Sequence, residues 1–350
     1  MREYLSDVVG NAALRARLGD ELERGALSHA YILEGAPGCG KHTLARAIVM
    51  ALACAQRGKQ AGALPCGHCP TCQKIAAGNC PDVLTVRREP DKATMGVEVI
   101  RALRADVAVL PNDLEFKVYV VEDADTMTTQ AQNALLLTLE EPPPFVLFLL
   151  LATQADTLLE TIRSRAPVLR MQPQDDATMR AYLLDEKRPA VARAARAVQA
   201  ASHEEFDALL RMANGRIGRA LELLEEKKRA PMMARRADVA ELCRLLGETG
   251  NTQALLAHLR GFGKSREELS ARFTLMLEAL RDLTVLCCAE EAPLVFFTDR
   301  EQALELSARF TVAGLLGIVQ ETQRTLDALG ANANTRLALT HYFCRLTANT

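Results

Sequence analysis

Along the first 170 residues, short apolar runs alternate with longer stretches of helical spacing. The runs "AYILEG" (30–35), "DVLTVR" (82–87), "KVYVVED" (117–123) and "VLFLLLAT" (146–153) have strand length and are bounded by polar or turn residues. Between them, residues 41–55, 96–110 and 128–141 carry helical patterns. Strands that are apolar almost throughout are buried on both faces, as in an open parallel sheet with helices between its strands. From about 171 the strand signal stops. Residues 174–230 read as helices broken by Pro189 and the turn "ANGRIG" (213–218), ending in a charge run before Pro231, and residues 236–350 read as helices throughout. The pattern predicts an α/β then all-α chain: a parallel-sheet domain at 1–170, a small helical domain at 171–235 and a helical bundle at 236–350.

The first strand leads into "LEGAPGCGKHTLA" (33–45). A phosphate loop follows G-x-x-x-x-G-K-S/T, placed after a strand and before a helix. Gly35, Gly40 and Lys41 are in register, with Gly38 inside the loop, but His42 stands where a hydroxyl would hold magnesium. Thr43 carries a hydroxyl one residue later, about 100° further round the helix. The acidic element that completes such a site is present as Glu122–Asp123, reversed from Asp followed by Glu. Misplacement of about an ångström near a reacting centre costs on the order of a hundredfold in rate. The residues point to phosphate-loop ancestry without turnover by this chain alone, and leave ATP or ADP binding and the use of magnesium open. The plainer alternative is a glycine-rich turn that only joins strand to helix.

Cys54, Cys66, Cys69 and Cys72 follow the spacing C-x11-C-x2-C-x2-C in a stretch rich in turn residues. Two overlapping C-x2-C steps aim their sulfurs at one centre, so a structural zinc held by four thiolates is expected in a module at 54–80. His68 and Cys80 compete for the fourth place, and reduced cysteines without metal are the alternative. Cys243, Cys287, Cys288 and Cys344 read as core residues, and Cys39 as a small residue fitting its loop.

Composition narrows the partners little. The 350 residues suffice for two or three cores, and 49% hydrophobic with 25% charged residues is ordinary for a soluble globular protein. A formal net charge of −2 argues against nucleic-acid binding by bulk charge. The N-terminus shows no basic region followed by an apolar core, and "FVLFLLLAT" (145–153) is too short to span a bilayer, so a cytoplasmic protein is expected.

In order, "SHAYILEGAPGCGKHTLA", the cysteine module, "GVEVIRALRADVAVLP", "KVYVVEDADTMTTQAQNALLLTLEEPP", "LLLATQADTLLETIRSRA" and "ANGRIGRALELL" resemble the bacterial clamp-loader family of AAA+ proteins, part of DNA polymerase III. The resemblance covers about residues 1–230, and the helical remainder matches the family's collar domain only in length and class. It implies a ring-like assembly that opens a sliding clamp and closes it around primed DNA, with ATP at subunit boundaries. The implied partners are motor subunits of the gamma and tau type and a delta-type subunit, with clamp and DNA engaged through them. The family's arginine finger comes from a Ser-Arg-Cys motif. Ser164 and Arg165 match it, and Ala166 replaces the cysteine. The resemblance gives Arg165 the task of stabilising charge on a neighbour's γ-phosphate, with Arg163 as the nearby alternative and a plain surface pairing of either arginine with a carboxylate as the other. It places Thr153 at the first sensor position, with a strand-terminating hydroxyl as the alternative. It places Arg219 at the second, touching phosphates from the helical lid if nucleotide binds and otherwise an ordinary solvated helix residue. "LEEPP" (139–143) reads as a helix end before prolines. The implied role is a stator without turnover of its own. The alternatives are an ATP-hydrolysing motor subunit and, in a different class, a DNA-binding zinc protein.

Overall fold

The computed structural model describes residues 3–59, 62–248, 252–263 and 265–349. The chain forms two compact units, 1–182 with 215–219, and 183–214 with 220–350.

The first unit contains, in chain order, β1 (Glu3–Tyr4), α1 (Ala12–Arg24), β2 (Ala30–Glu34), α2 (Lys41–Ala53), β3 (Ala63–Leu64), α3 (Pro70–Ala76), β4 (Val83–Val86), α4 (Val97–Val107), β5 (Lys117–Val121), α5 (Thr129–Glu140), β6 (Val146–Ala152), α6 (Glu160–Arg163) and β7 (Val168–Arg170). Five strands form one parallel sheet in the order β4-β5-β6-β2-β7, while β1 and β3 pair separately. The four apolar runs are its first four strands, and the all-parallel α/β expectation holds. The fifth strand, β7, was outside that reading. Three residues are too few to show a period, and Leu33 pairing with Leu169 is what makes them a strand.

Alternation along the strands sends side chains to two cores. Tyr31, Leu33, Val118, Val120, Leu149 and Leu151 share a core with Leu44 and Ile48 of α2. Ile32, Tyr119, Val121, Phe148 and Leu150 share the other with Ile100 of α4 and Leu135 of α5. All seven residues of β6 are buried, which is why its sequence reads as a continuous apolar run. Asp82, fully buried before β4, accepts N–H bonds from Asn112, Asp113 and Leu114 at 2.6–2.8 Å and ties that strand to the loop entering β5. Burial works against its charge, but these amides and Lys117 outweigh it and hold the carboxyl below its ordinary value.

The second unit is helical: α7 (Asp176–Leu184), α8 (Pro189–Ala201), α9 (His203–Ala213), α10 (Ile217–Leu224), α11 (Glu226–Leu246), α12 (Thr252–Gly261), α13 (Arg266–Leu286), α14 (Arg300–Ser307), α15 (Val312–Gly330) and α16 (Thr335–Asn349), of which α7 and α10 straddle the boundary. Pro189 opens α8 at its first turn, where a missing N–H costs nothing. Pro231 does not separate helices: α11 runs through it, and exposed Lys227, whose carbonyl loses its helical donor, faces water. Leu242, Phe273, Met276, Leu283, Leu315 and Tyr342 lie in its core. Cys243 is buried as expected, but Cys287, Cys288 and Cys344 are exposed. The first two lie past the end of α13, so helical spacing no longer turns them inward. Among the described residues, no single helix is long and apolar enough to cross a membrane.

Candidate functional site

In a parallel sheet the carboxyl ends of all strands lie along one edge, where ligands bind in such folds. That edge collects the residues following four strands: Gly35 after β2, Arg87 after β4, Glu122 after β5 and Thr153 after β6.

The glycine loop closes on itself. Gly38 and Gly40 have φ of 81° and 103°, the left-handed region that glycine adopts without strain. A Cβ on Gly35 would lie 2.6 Å from Cys39 Sγ, so any larger residue there would force Cys39 to shift. Lys41 heads α2, and its ammonium donates to the carbonyls of Gly35 and Ala36. The loop tip is also bonded to the first turn of α10: Gly218 N–H donates to Gly38 O at 2.8 Å, and a Cβ on Gly38 would stand 3.0 Å from Arg219 N. Gly38 and Arg219 are thus brought together by backbone contact. Thr43 sits half-buried in the first turn of α2.

The acidic element is occupied by cations of the same chain. Arg87 donates from Nε and Nη2 to the two oxygens of Glu122 at 2.7 and 2.8 Å, a bidentate pair. His42 Nδ1 lies 3.6 Å from Glu122 Oε1. Glu122 is 17% exposed, so this partner is set against the loop rather than in open solvent. Asp123 is left-handed at φ 47° and exposed, 3.8 Å from Arg88 Nε. The two carboxylates therefore take separate arginines instead of converging on one point. At the same edge Arg170 holds Glu34 at 2.6 Å, and Thr153 N–H donates to Asp125 at 3.0 Å. Magnesium takes oxygen ligands in near-octahedral geometry, and a Glu122 already held by a guanidinium, beside an imidazole in place of the hydroxyl, does not fit it. Neither Arg87 nor Gly218 was singled out in the sequence. The signal for Arg87 was available, because a polar residue ending one parallel strand lies beside the end of its neighbour.

The four cysteines gather as the spacing requires. The sulfurs of Cys54, Cys66, Cys69 and Cys72 lie within 4.8 Å of one another. Tetrahedral zinc with bonds of about 2.3 Å places its sulfurs about 3.8 Å apart, so the donor set fits zinc. Cys54 follows α2, and Cys69 caps α3 with its sulfur accepting from Cys72 N at 3.4 Å. Burial disfavours the Cys69 thiolate, but the amides of Cys72 and Ala55 and neighbouring thiols outweigh it and lower its pKa to about 6. Burial, with the thiols of Cys69 and Cys54, pushes Cys72 up. His68 is exposed, bonded to Cys66 O, and Cys80 lies with Asp82 and Asp113, so neither competitor belongs to the cluster.

Arg165 stands just past α6, half-buried, with Ser164 exposed beside it. Its Nη1 donates to Thr161 O at 3.0 Å and lies 3.4 Å from Ser164 Oγ, while Nη2 lies 3.0 Å from Glu140 Oε1. Arg163 pairs with Asp156 at 2.9 Å. Ala166 is fully buried, so the residue replacing the cysteine serves packing.

The sequence family described as DNA polymerase III, delta subunit, matches residues 10–175. Over 178 residues the chain is 36% identical to DNA polymerase III subunit gamma/tau of Mycobacterium tuberculosis, covering 51% of this chain and 30% of that protein. Over 169 residues it is 34% identical to DNA polymerase III subunit delta' of Bacillus subtilis, covering 48% of this chain and 50% of that one. The chain thus spans between about a third and a half of these relatives' lengths. A gamma subunit-related protein from Thermotoga maritima is a solved structure with 16% identity and a TM-score of 0.43 over 95% of this chain and 99% of its own. Residues 10–175, which hold the loop, the cysteine cluster and Arg165, are thus the part of the chain that is similar to DNA polymerase III gamma/tau and delta' subunits.

Proposed function

We propose that this chain is a delta-prime-type stator of the polymerase III clamp loader, which leaves ATP turnover to its neighbours and presents Arg165 to one of their ATP sites. One observation carries the reading: both oxygens of Glu122, the acid that would serve a metal, are taken by Arg87. With His42 beside it and Lys41 bonded to loop carbonyls, the groups a working loop spends on nucleotide and magnesium are satisfied internally. In this reading Gly35, Gly38, Gly40, Lys41, Thr43, Thr153 and Arg219 keep the shape of a nucleotide site, and any ATP or ADP taken there is not hydrolysed.

Arg165 works in the opposite sense. Its guanidinium is partly exposed, and delivered across a subunit boundary it stabilises charge developing on a neighbour's γ-phosphate. Ser164 helps set its direction. Cys54, Cys66, Cys69 and Cys72 would hold a zinc ion whose contribution is a cross-link that fixes the module to α2 and α3. Residues 1–170 form the α/β domain of the assembly, 171–235 its lid and 236–350 its collar. The partners are gamma/tau-type and delta-type subunits, with sliding clamp and primed DNA engaged by the whole complex in replication.

The test is steady-state ATPase of the reconstituted complex containing Arg165→Ala. A fall in kcat with the complex intact supports the role, and an unchanged rate removes it. The second reading, a gamma/tau-type motor subunit, is favoured by the 36% identity to a gamma/tau protein. Magnesium-dependent turnover by the purified chain, abolished by Lys41→Ala, would establish it.

A further inference from the structure

The guanidinium of Arg165 has three contacts, and they are not equivalent. Thr161 and Ser164 belong to the same turn as Arg165 and move with it. Glu140 is the last residue of α5 and the contact that ties the guanidinium to another element. The prolines following Glu141 stop that helix, so Glu140 stands at a helix C-terminus, whose partial negative charge adds to its own. The competing cation, Arg163, is paired with Asp156 and leaves Glu140 to Arg165.

The pair is built to come apart. Arg165 and Glu140 are 36% and 41% exposed, and ion pairs at such positions are weak. A triphosphate carries more charge than one carboxylate and offers oxygens suited to a guanidinium fork. We infer that Glu140 is the resting partner of Arg165, holding the guanidinium against its own subunit until ATP in the neighbouring site displaces the carboxylate. This rests on the trans-acting role proposed above. Glu140 and nucleotide then compete for one cation. Glu140 therefore sets the ATP concentration at which Arg165 engages, without changing the rate once it has engaged.

The experiment compares complexes reconstituted with wild-type chain, Glu140→Gln, Glu140→Asp, Arg165→Ala and the double variant Glu140→Gln/Arg165→Ala. ATPase is measured against ATP concentration at two salt concentrations, after thermal melts show that each variant folds. Glu140→Gln is expected to lower the apparent KM about two- to fivefold with kcat unchanged, the scale of an exposed ion pair. The difference shrinks at high salt, disappears when Arg165 is absent, and is largely reversed in Glu140→Asp, which keeps the charge. An unchanged KM in Glu140→Gln, or a kcat lowered as in Arg165→Ala, overturns the inference. If instead Arg165→Ala leaves the ATPase intact, the trans-acting role itself fails, a result distinct from either.

Discussion

Two of the arginine–glutamate pairs in the α/β unit, Arg87–Glu122 and Arg165–Glu140, differ in which partner is withheld. At the glycine loop, Arg87 grips Glu122 through two hydrogen bonds against a mostly buried carboxylate. Beyond α6, Glu140 touches Arg165 through one nitrogen, with both side chains more than a third exposed. The first pair removes an acid from use. In the proposed reading the second holds a cation where it remains reachable. In that reading the same two residue types, distinguished by bonding geometry and by the burial of the carboxylate, close one site and keep the other ready.

The largest effect expected from breaking this contrast is at Arg165. In a complex whose other ATP sites are silenced, Arg165→Ala should lower kcat at the served site about a thousandfold, the lower end for an arginine finger. Next is Asp82→Asn, which separates loss of fold from loss of function. It leaves three amides sharing a weaker, buried acceptor and should cost about 2–3 kcal/mol, read as a lower Tm in thermal melts. The sign with pH follows from the lowered pKa of this carboxyl. Its stabilisation is present above the unfolded value, about pH 4, and is lost as pH falls through the folded pKa. The wild-type Tm should therefore fall in that acid range, and the Asp82→Asn Tm should fall less. A smaller effect is expected from Arg87→Ala with His42→Thr, which frees Glu122 and returns a hydroxyl to the loop. Magnesium-dependent binding of a fluorescent ATP analogue should tighten about tenfold, as one charge-assisted contact is replaced by a metal. If binding does not change, Arg87 is not what excludes the metal.

Much of this was legible in the sequence. Mostly apolar runs gave the sheet, because strands buried on both faces have almost no polar side to show; the edge strand β4, with Thr85 exposed, is the partial exception. The cysteine spacing gave the cluster, since overlapping C-x2-C steps confine their sulfurs locally. What could not be read were pairings between distant segments. Arg87 and Glu122 end different strands, and their contact follows from β4 lying beside β5 in register. Glu140 looked like a helix end and nothing more, until the chain beyond β6 brought Arg165 to it. Cys287 and Cys288 were misread as core because the apolar run of α13 continues in sequence past the point where the helix stops.

The most direct measurement is ATP turnover by the purified chain alone, with saturating magnesium and ATP. Closure of the loop by Arg87, His42 and its own carbonyls predicts no turnover above background, and no change on Lys41→Ala. Magnesium-dependent hydrolysis that Lys41→Ala abolishes would contradict the account and make the chain a motor.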